Sequence, residues 1–135
     1  MRTRWMSMVV ASVLVLSVPA CSPGRVSKCE NAYKAATTSV DGVASAEFEC
    51  SFQFGGGWQR AKVVFEPTTE AKAIVMVDKI LRAMAASPDL EDSWGTPQEY
   101  ATADRSVLVS AGDVGFKAGV PNVGEVRQRF GITPR

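Results

Sequence analysis

The sequence of 135 residues contains no histidine. Histidine is the side chain that most readily titrates near neutral pH, and it is the commonest metal ligand. Its absence excludes a Ser-His-Asp triad, a Cys-His nucleophile pair and every histidine-based metal site. Catalysis would have to rely on carboxylates or lysines, and no pattern of residues indicates such a site. We therefore expect a non-enzymatic protein with no catalytic residues, no metal site and no cofactor.

An excess of charge of either sign is also lacking. The chain has 15 Lys and Arg residues against 14 Asp and Glu residues, a formal net charge of +1. Nucleic-acid binding domains carry a strongly basic surface, and peripheral attachment to anionic lipid needs a polybasic patch. The balance of charges predicts no nucleic-acid partner, and it requires that any attachment to a membrane come from another feature of the chain.

The one long hydrophobic run lies at the N-terminus and is short. Arg2 and Arg4 precede an uncharged stretch from Trp5 to Ala20, which ends in small residues. Charged, apolar and small residues in this order are typical of a cleavable signal peptide. A transmembrane helix needs about 20 apolar residues, and Pro19 interrupts this run earlier. Residues 1–20 are thus predicted to be a signal peptide, and a permanent membrane span is the weaker interpretation.

The residue that follows the predicted cleavage site is a cysteine. The run Val18-Pro19-Ala20-Cys21 resembles a bacterial lipobox, in which the cysteine is joined to diacylglycerol before cleavage. This resemblance implies a lipoprotein that is anchored through Cys21 to the extracytoplasmic face of the cell membrane and that carries palmitate. An ordinary signal peptidase would also accept Ala20, and that route would leave Cys21 as a free thiol.

Cysteine is scarce, with three residues in the whole chain. In an oxidising compartment one of the three is left over after pairing. Lipidation of Cys21 removes the odd residue, so that Cys29 and Cys50 are predicted to form a disulfide. Helical spacing puts Cys29 on the buried side of a first helix, and strand alternation puts Cys50 on the buried side of a strand. The alternative is two buried free thiols.

The first half of the mature chain predicts a tether, a helix and a hairpin. Residues 21–27 contain Pro and Gly without apolar periodicity and are expected to form a lipid-anchored tether. A single domain is expected over residues 28–135, with its first helix over residues 29–38. Alternation over residues 46–54 predicts a half-buried strand. A two-residue turn at Gly55-Gly56 would then set Cys50 opposite Ala61, Phe48 opposite Val63 and Glu49 opposite Lys62.

The second half repeats this plan. Thr68 is expected to cap a second helix that stops by Pro88. Its apolar stripe consists of Ile74, Val77, Leu81 and Met84, supported by Ala73 and Ile80. Two short strands follow, over residues 98–103 and 106–111, and a short last helix over 123–130. The predicted fold class is α+β: a two-layer sandwich in the order α-β-β-α-β-β, with a four-stranded, mainly antiparallel sheet and two helices on one face.

This plan resembles the small uncharacterised lipoproteins of high-GC Gram-positive bacteria. The resemblance covers about residues 40–84 and begins at Asp41-Gly42-Val43, followed by an alternating strand, a glycine turn, a second strand and a helix. It implies a lipobox joined to a small domain and brings no assigned activity.

Several residue patterns could carry a site, and each also has a structural interpretation. Gly55-Gly56-Gly57 precedes a strand and lacks the following Lys of a phosphate loop, so it is interpreted as a turn. Glu47 and Glu49 are expected to be neutralised by the neighbouring Arg60 and Lys62. Glu91 and Asp92 lie in a loop without an EF-hand pattern. The aromatic residues could form a platform for a partner or a sugar, or could instead close the core; they are Trp58, Trp94 and Tyr100.

Two functions remain open after these exclusions. The first is a lipoprotein whose non-enzymatic domain binds or scaffolds a cell-envelope protein, through its polar sheet face or through residues 89–97. The second is a carrier of a small ligand or glycan in the cleft between sheet and helices. A contiguous apolar cavity of about 300 Å³ or more would favour the carrier, whereas a filled core beneath an exposed sheet would favour the binding domain.

Overall fold

The computed structural model describes residues 23–53 and 58–135. These residues form three helices and four strands, in the order α1 (Pro23–Thr38), β1 (Val43–Ser51), β2 (Trp58–Phe65), α2 (Glu70–Ala86), β3 (Tyr100–Thr102), β4 (Leu108–Val109) and α3 (Val123–Phe130). A 3-10 turn over Ala111–Val114 joins β4 to the segment before α3. Within this part of the chain no helix has the length and apolar character required to cross a membrane.

The four strands form one mixed sheet in the order β1-β2-β3-β4. β1 and β2 are antiparallel, as are β3 and β4. β2 and β3 run parallel and share two residue pairs, Val64 with Ala101 and Phe65 with Thr102. A parallel pair needs a crossover connection, and α2 lies in that connection. The predicted fold class, α+β with a four-stranded sheet and a short C-terminal helix, is therefore confirmed.

The core lies between the sheet and the helices. α1 packs against β1 and α2, and α2 packs against β4 and α3. The predicted inward face of β1 is buried at Ala46, Phe48 and Cys50, while Glu47 and Glu49 are exposed. α2 buries six residues, which are Ala73, Val77, Ile80, Leu81, Met84 and Ala85. Burial of a large aliphatic side chain contributes about 1.5–3 kcal/mol, so this stripe holds the second layer to the sheet.

The first helix begins earlier than predicted. It starts at Pro23, so most of the segment expected to be a tether is helical. Proline suits the first turn of a helix because the N–H that it lacks would have no partner there. Arg25 lies 4.2 Å above the ring of Phe52 and forms an ion pair with Glu91 at 3.4 Å. These contacts stabilise the first turns of α1. Because this part of the helix has no apolar periodicity, the sequence pattern did not predict that it is helical.

The register of the first hairpin also differs from the prediction. Phe48 lies opposite Ala61, Cys50 opposite Gln59 and Glu49 opposite Arg60, a shift of two residues. Because the side-chain period of a strand is two, the core residues Phe48, Cys50 and Val63 stay on their predicted face. The shift follows from the end of β1 at Ser51, after which Phe52 packs against Trp94 with ring centroids 5.5 Å apart.

Two smaller corrections concern the second half. The N-cap of α2 is Thr69, whose hydroxyl accepts a hydrogen bond from the Lys72 N–H, and not Thr68. β3 and β4 are shorter than predicted because a tight turn joins them. In this turn Asp104 accepts hydrogen bonds from Thr102 Oγ1 and from the Ser106 N–H, and Arg105 has a positive φ of 59°. The last helix has its predicted bounds, with Asn122 as its N-cap.

Candidate functional site

A disulfide joins α1 to β1. The sulfurs of Cys29 and Cys50 are bonded, with their Cα atoms 6.3 Å apart, which confirms the predicted pairing. Both residues are buried, at 3% and 8% exposure. The carboxylate of Glu30 accepts a hydrogen bond from the Cys50 N–H at 3.2 Å, beside the disulfide. This covalent link and the hydrogen bond fix α1 over one end of the hairpin.

The predicted aromatic platform is not formed by Trp94 and Tyr100. Trp94 is 5% exposed and packs against Tyr33 and Phe52, so it closes the core beneath its loop. Tyr100 is fully buried and stacks on Phe65. The platform interpretation is wrong for both residues, because their rings are used in the core. The side chain of Trp58, the third member, lies outside what the structure describes.

Over residues 23–53 and 58–135, no helix lies on the outer face of the sheet, which carries charges of both signs. Glu47 lies directly opposite Lys62, and Glu49 directly opposite Arg60. All four side chains are exposed. Opposite charges on facing strand positions contribute about 0.2–1 kcal/mol each. Each carboxylate therefore lies across from a cation on the neighbouring strand.

A row of apolar side chains crosses the same face. Val64 pairs with Ala101 on the neighbouring strand, and Ala101 pairs with Leu108 on the next. Leu108 is 50% exposed, one of the most exposed large apolar residues of the described chain. Ala101 is 7% exposed, and Val64 is half-buried. We name these three residues the apolar row.

Charged residues border the apolar row. Arg105 donates to Glu99 at 2.9 Å, and this hydrogen bond is the main cause that holds the pKa of Glu99 below its usual range. A groove of about 420 Å³ is lined by two members of the row, Val64 and Ala101, and by Lys62, Glu99 and Arg105 among others. An apolar centre with a polar rim is the ordinary composition of a protein interface.

A second groove adjoins the first. It has a volume of about 630 Å³, and it shares Ala61 and Glu99 with the groove along the apolar row. Gln59 lines it, and the buried side-chain oxygen of Gln59 has no hydrogen-bond partner among the described residues. A buried polar atom without a partner is uncommon in native proteins. Both grooves are lined by residues of β2 and by Glu99, which precedes β3.

The acidic pair in the loop before β3 has structural partners. Glu91 pairs with Arg25, and Asp92 pairs with Arg127. Across the residues that the structure describes, no group of three or more potential metal-ligating side chains comes together. Glu91 and Asp92 thus connect the loop to α1 and α3.

Arg127 is a residue that the sequence interpretation missed. Its guanidinium donates to the carbonyl oxygens of Ala85, Ser87 and Leu90 at 2.7–2.9 Å, and its side chain is 12% exposed. The last carbonyls of a helix lack partners within the helix and carry partial negative charge. Arg127 therefore terminates α2 and orders the loop after it. Its position on a short polar helix gave no signal of this role.

Two predictions fall on residues outside the described part of the chain. They are the turn at Gly55-Gly56-Gly57 and the N-terminal export signal, which comprises the signal peptide over residues 1–20 and the lipidation of Cys21. In comparisons with known proteins, no family model, no curated protein and no solved structure matches the chain.

Proposed function

We propose that the chain is an extracytoplasmic lipoprotein, anchored through Cys21, whose domain binds a cell-envelope protein without catalysing a reaction. The observation that carries the binding part is the apolar row on the outer face of the sheet. Leu108 leaves apolar surface in water, at 50% exposure, and Val64 lines a groove together with Lys62, Glu99 and Arg105. Binding a partner there would remove that surface from water, at about 25 cal/mol per Å².

The filled core supports a binding domain more than a carrier. The space between sheet and helices is occupied by large side chains of almost no exposure, including Phe65, Tyr100, Ile80 and Leu81. A carrier in the proposed cleft would need that space for its ligand. The apolar row lies instead on the outer face of the sheet, where its exposed member Leu108 can contact a protein surface.

Site-specific photo-crosslinking in membranes of the native host tests the binding face. A photoreactive residue at Lys62, beside the apolar row, should yield one discrete adduct, and the additional change Leu108→Asp should abolish it. The matched control is a photoreactive residue at Val75, which is 53% exposed on α2. Equal adducts from both positions, or an adduct that persists with Leu108→Asp, would contradict the proposal.

The anchor is tested separately. Cys21→Ser should move the protein from the membrane fraction to the soluble extracytoplasmic fraction, and labelled palmitate should enter only the wild type. Retention of Cys21→Ser in membranes, together with no palmitate in the wild type, would rule out the lipoprotein.

A further inference from the structure

We infer that the domain stands on the membrane in one orientation, with the hairpin end of the sheet facing the lipid headgroups and the Gly42 end facing away. This inference rests on the proposed anchor at Cys21. It goes beyond that anchor because it assigns a membrane-facing surface and an outward-facing surface to the folded domain.

The first observation is the short connection between the anchor and the fold. α1 begins at Pro23, two residues after Cys21. Two residues reach at most about 7 Å when fully extended. A diacylglyceryl group on Cys21 would hold that residue at the membrane surface, so the first turn of α1 is confined to the same layer.

The second observation is that this turn is fixed to the rest of the domain. Arg25 stacks on Phe52 at 4.2 Å and pairs with Glu91. One turn later the disulfide joins Cys29 to Cys50. Since these contacts lie at the end of β1 that leads into the hairpin loop, the hairpin end is carried to the membrane together with α1.

Charge does not set this orientation. Lys28 pairs with Asp89 at 3.5 Å, and Arg25 pairs with Glu91. Both of these cations are thus matched by a carboxylate, and a neutral patch has no strong attraction for anionic lipid. The orientation should therefore depend on the length of the connection and not on the lipid headgroup charge.

The opposite end of the domain is far from the anchor. α1 has 16 residues, which at about 1.5 Å per residue gives about 24 Å. Beyond its C-terminus, the Glu66 N–H donates to the Gly42 carbonyl at 2.9 Å, so the ends of β1 and β2 meet there. A groove of about 610 Å³ lies at this end, lined by Asp41, Gly42, Lys72 and Met76 among others. This groove is the part of the domain that we assign to the outward side.

Paramagnetic relaxation in nanodiscs tests the orientation. The full-length chain is expressed in a bacterial host, purified from membranes and reconstituted in phosphatidylcholine nanodiscs that contain a gadolinium-chelate headgroup lipid. Amide signals of Lys28 and Gln53 should be broadened several-fold more than those of Gly42 and Lys79. The same gradient should appear when phosphatidylglycerol is added. Equal broadening at both ends, or a reversed gradient, would overturn the inference.

A variant with a longer linker tests whether the orientation is set by the short connection or by an affinity of the domain surface for lipid. Insertion of about 12 Gly and Ser residues between Ser22 and Pro23 provides an r.m.s. length of about 20 Å, and it should abolish the gradient while the protein stays in the nanodisc. A gradient that survives this insertion would overturn the role of the connection. Mass analysis of the N-terminal peptide comes first: an unmodified Cys21 would overturn both proposals, whereas a lipidated Cys21 with uniform broadening would overturn the orientation alone.

Discussion

Arg127 Nε donates to the carbonyl oxygen of Ala85 at 2.9 Å and so joins α3 to the last turn of α2. Two further bonds from the same guanidinium, to Ser87 and Leu90, extend this contact into the loop after α2. Truncation would leave three carbonyl groups without a donor. Each buried group that loses its partner costs about 1–3 kcal/mol.

Arg127→Ala should therefore lower the free energy of unfolding by about 2–4 kcal/mol in urea denaturation. Arg127→Lys should recover only part of this loss, because an ammonium group lacks the planar fork that reaches several carbonyls. The matched control is Lys28→Ala, which removes an exposed ion pair with Asp89 and should cost less than about 1 kcal/mol. Equal effects of Arg127→Ala and Lys28→Ala would contradict the role assigned to Arg127.

The disulfide provides the second prediction. Replacing Cys29 and Cys50 together with Ala should lower stability by about 2–4 kcal/mol, since the bond closes a loop of 21 residues. Hydrogen exchange should accelerate first in α1, which has few large apolar residues. Alkylation and mass analysis of protein with Cys21→Ser should find no free thiol at Cys29 or Cys50. Two alkylated thiols in protein recovered from the cell envelope would rule out the bond in the exported protein.

The two tyrosines provide a matched pair of hydroxyl deletions. Tyr33 donates to the Gly95 carbonyl at 2.6 Å, whereas the buried hydroxyl of Tyr100 has no partner among the described residues. Tyr33→Phe should lower stability by about 1 kcal/mol or more, and Tyr100→Phe should leave it unchanged or raise it. Thermal unfolding of both variants decides this. A larger loss for Tyr100→Phe than for Tyr33→Phe would show that the Tyr100 hydroxyl does have a partner.

The same tyrosines predict how stability depends on alkaline pH. Burial raises the pKa of Tyr33 and of Tyr100 above the ordinary tyrosine value, and these are the only tyrosines of the chain. The folded state therefore keeps two protons that the unfolded state releases near pH 10. Their contribution to stability is complete below about pH 10 and falls as the pH rises further, by up to about 1.4 kcal/mol per pH unit for each tyrosine.

Tyrosinate absorbance near 295 nm measures this directly. It should stay low while the folded circular dichroism signal persists, and both should change together at unfolding. Tyrosinate that forms near pH 10 in folded protein would contradict the burial of these rings.

Much of the fold follows from local patterns. The alternation of Ala46, Phe48 and Cys50 predicted the buried face of β1, because a half-buried strand must alternate. The apolar stripe of α2 followed in the same way from helical spacing. The disulfide could be predicted because helical spacing in α1 and alternation in β1 each place a cysteine on the face that points into the core.

The remaining features depend on contacts between segments distant in the sequence. The two-residue shift of the hairpin follows from Phe52, which leaves the strand to pack against Trp94. The early start of α1 depends on Arg25 and its contacts with Phe52 and Glu91. The apolar row could not be predicted either, because it exists only where β2, β3 and β4 pair. Contacts of this kind cannot be predicted from the periodicity of a single segment.

The disulfide between α1 and β1 makes the stability of the domain depend on its redox state: the reduced domain should be less stable than the oxidised one. The cytosol keeps thiols reduced, so a chain that is exported as proposed would reach the translocation machinery with Cys29 and Cys50 unbonded. Its folded form would then be weaker by about 3 kcal/mol, and a weakly folded precursor is easier to thread through a channel as an extended chain. Oxidation after the proposed export would stabilise the same fold, so the domain would reach its full stability only outside the compartment in which it is made.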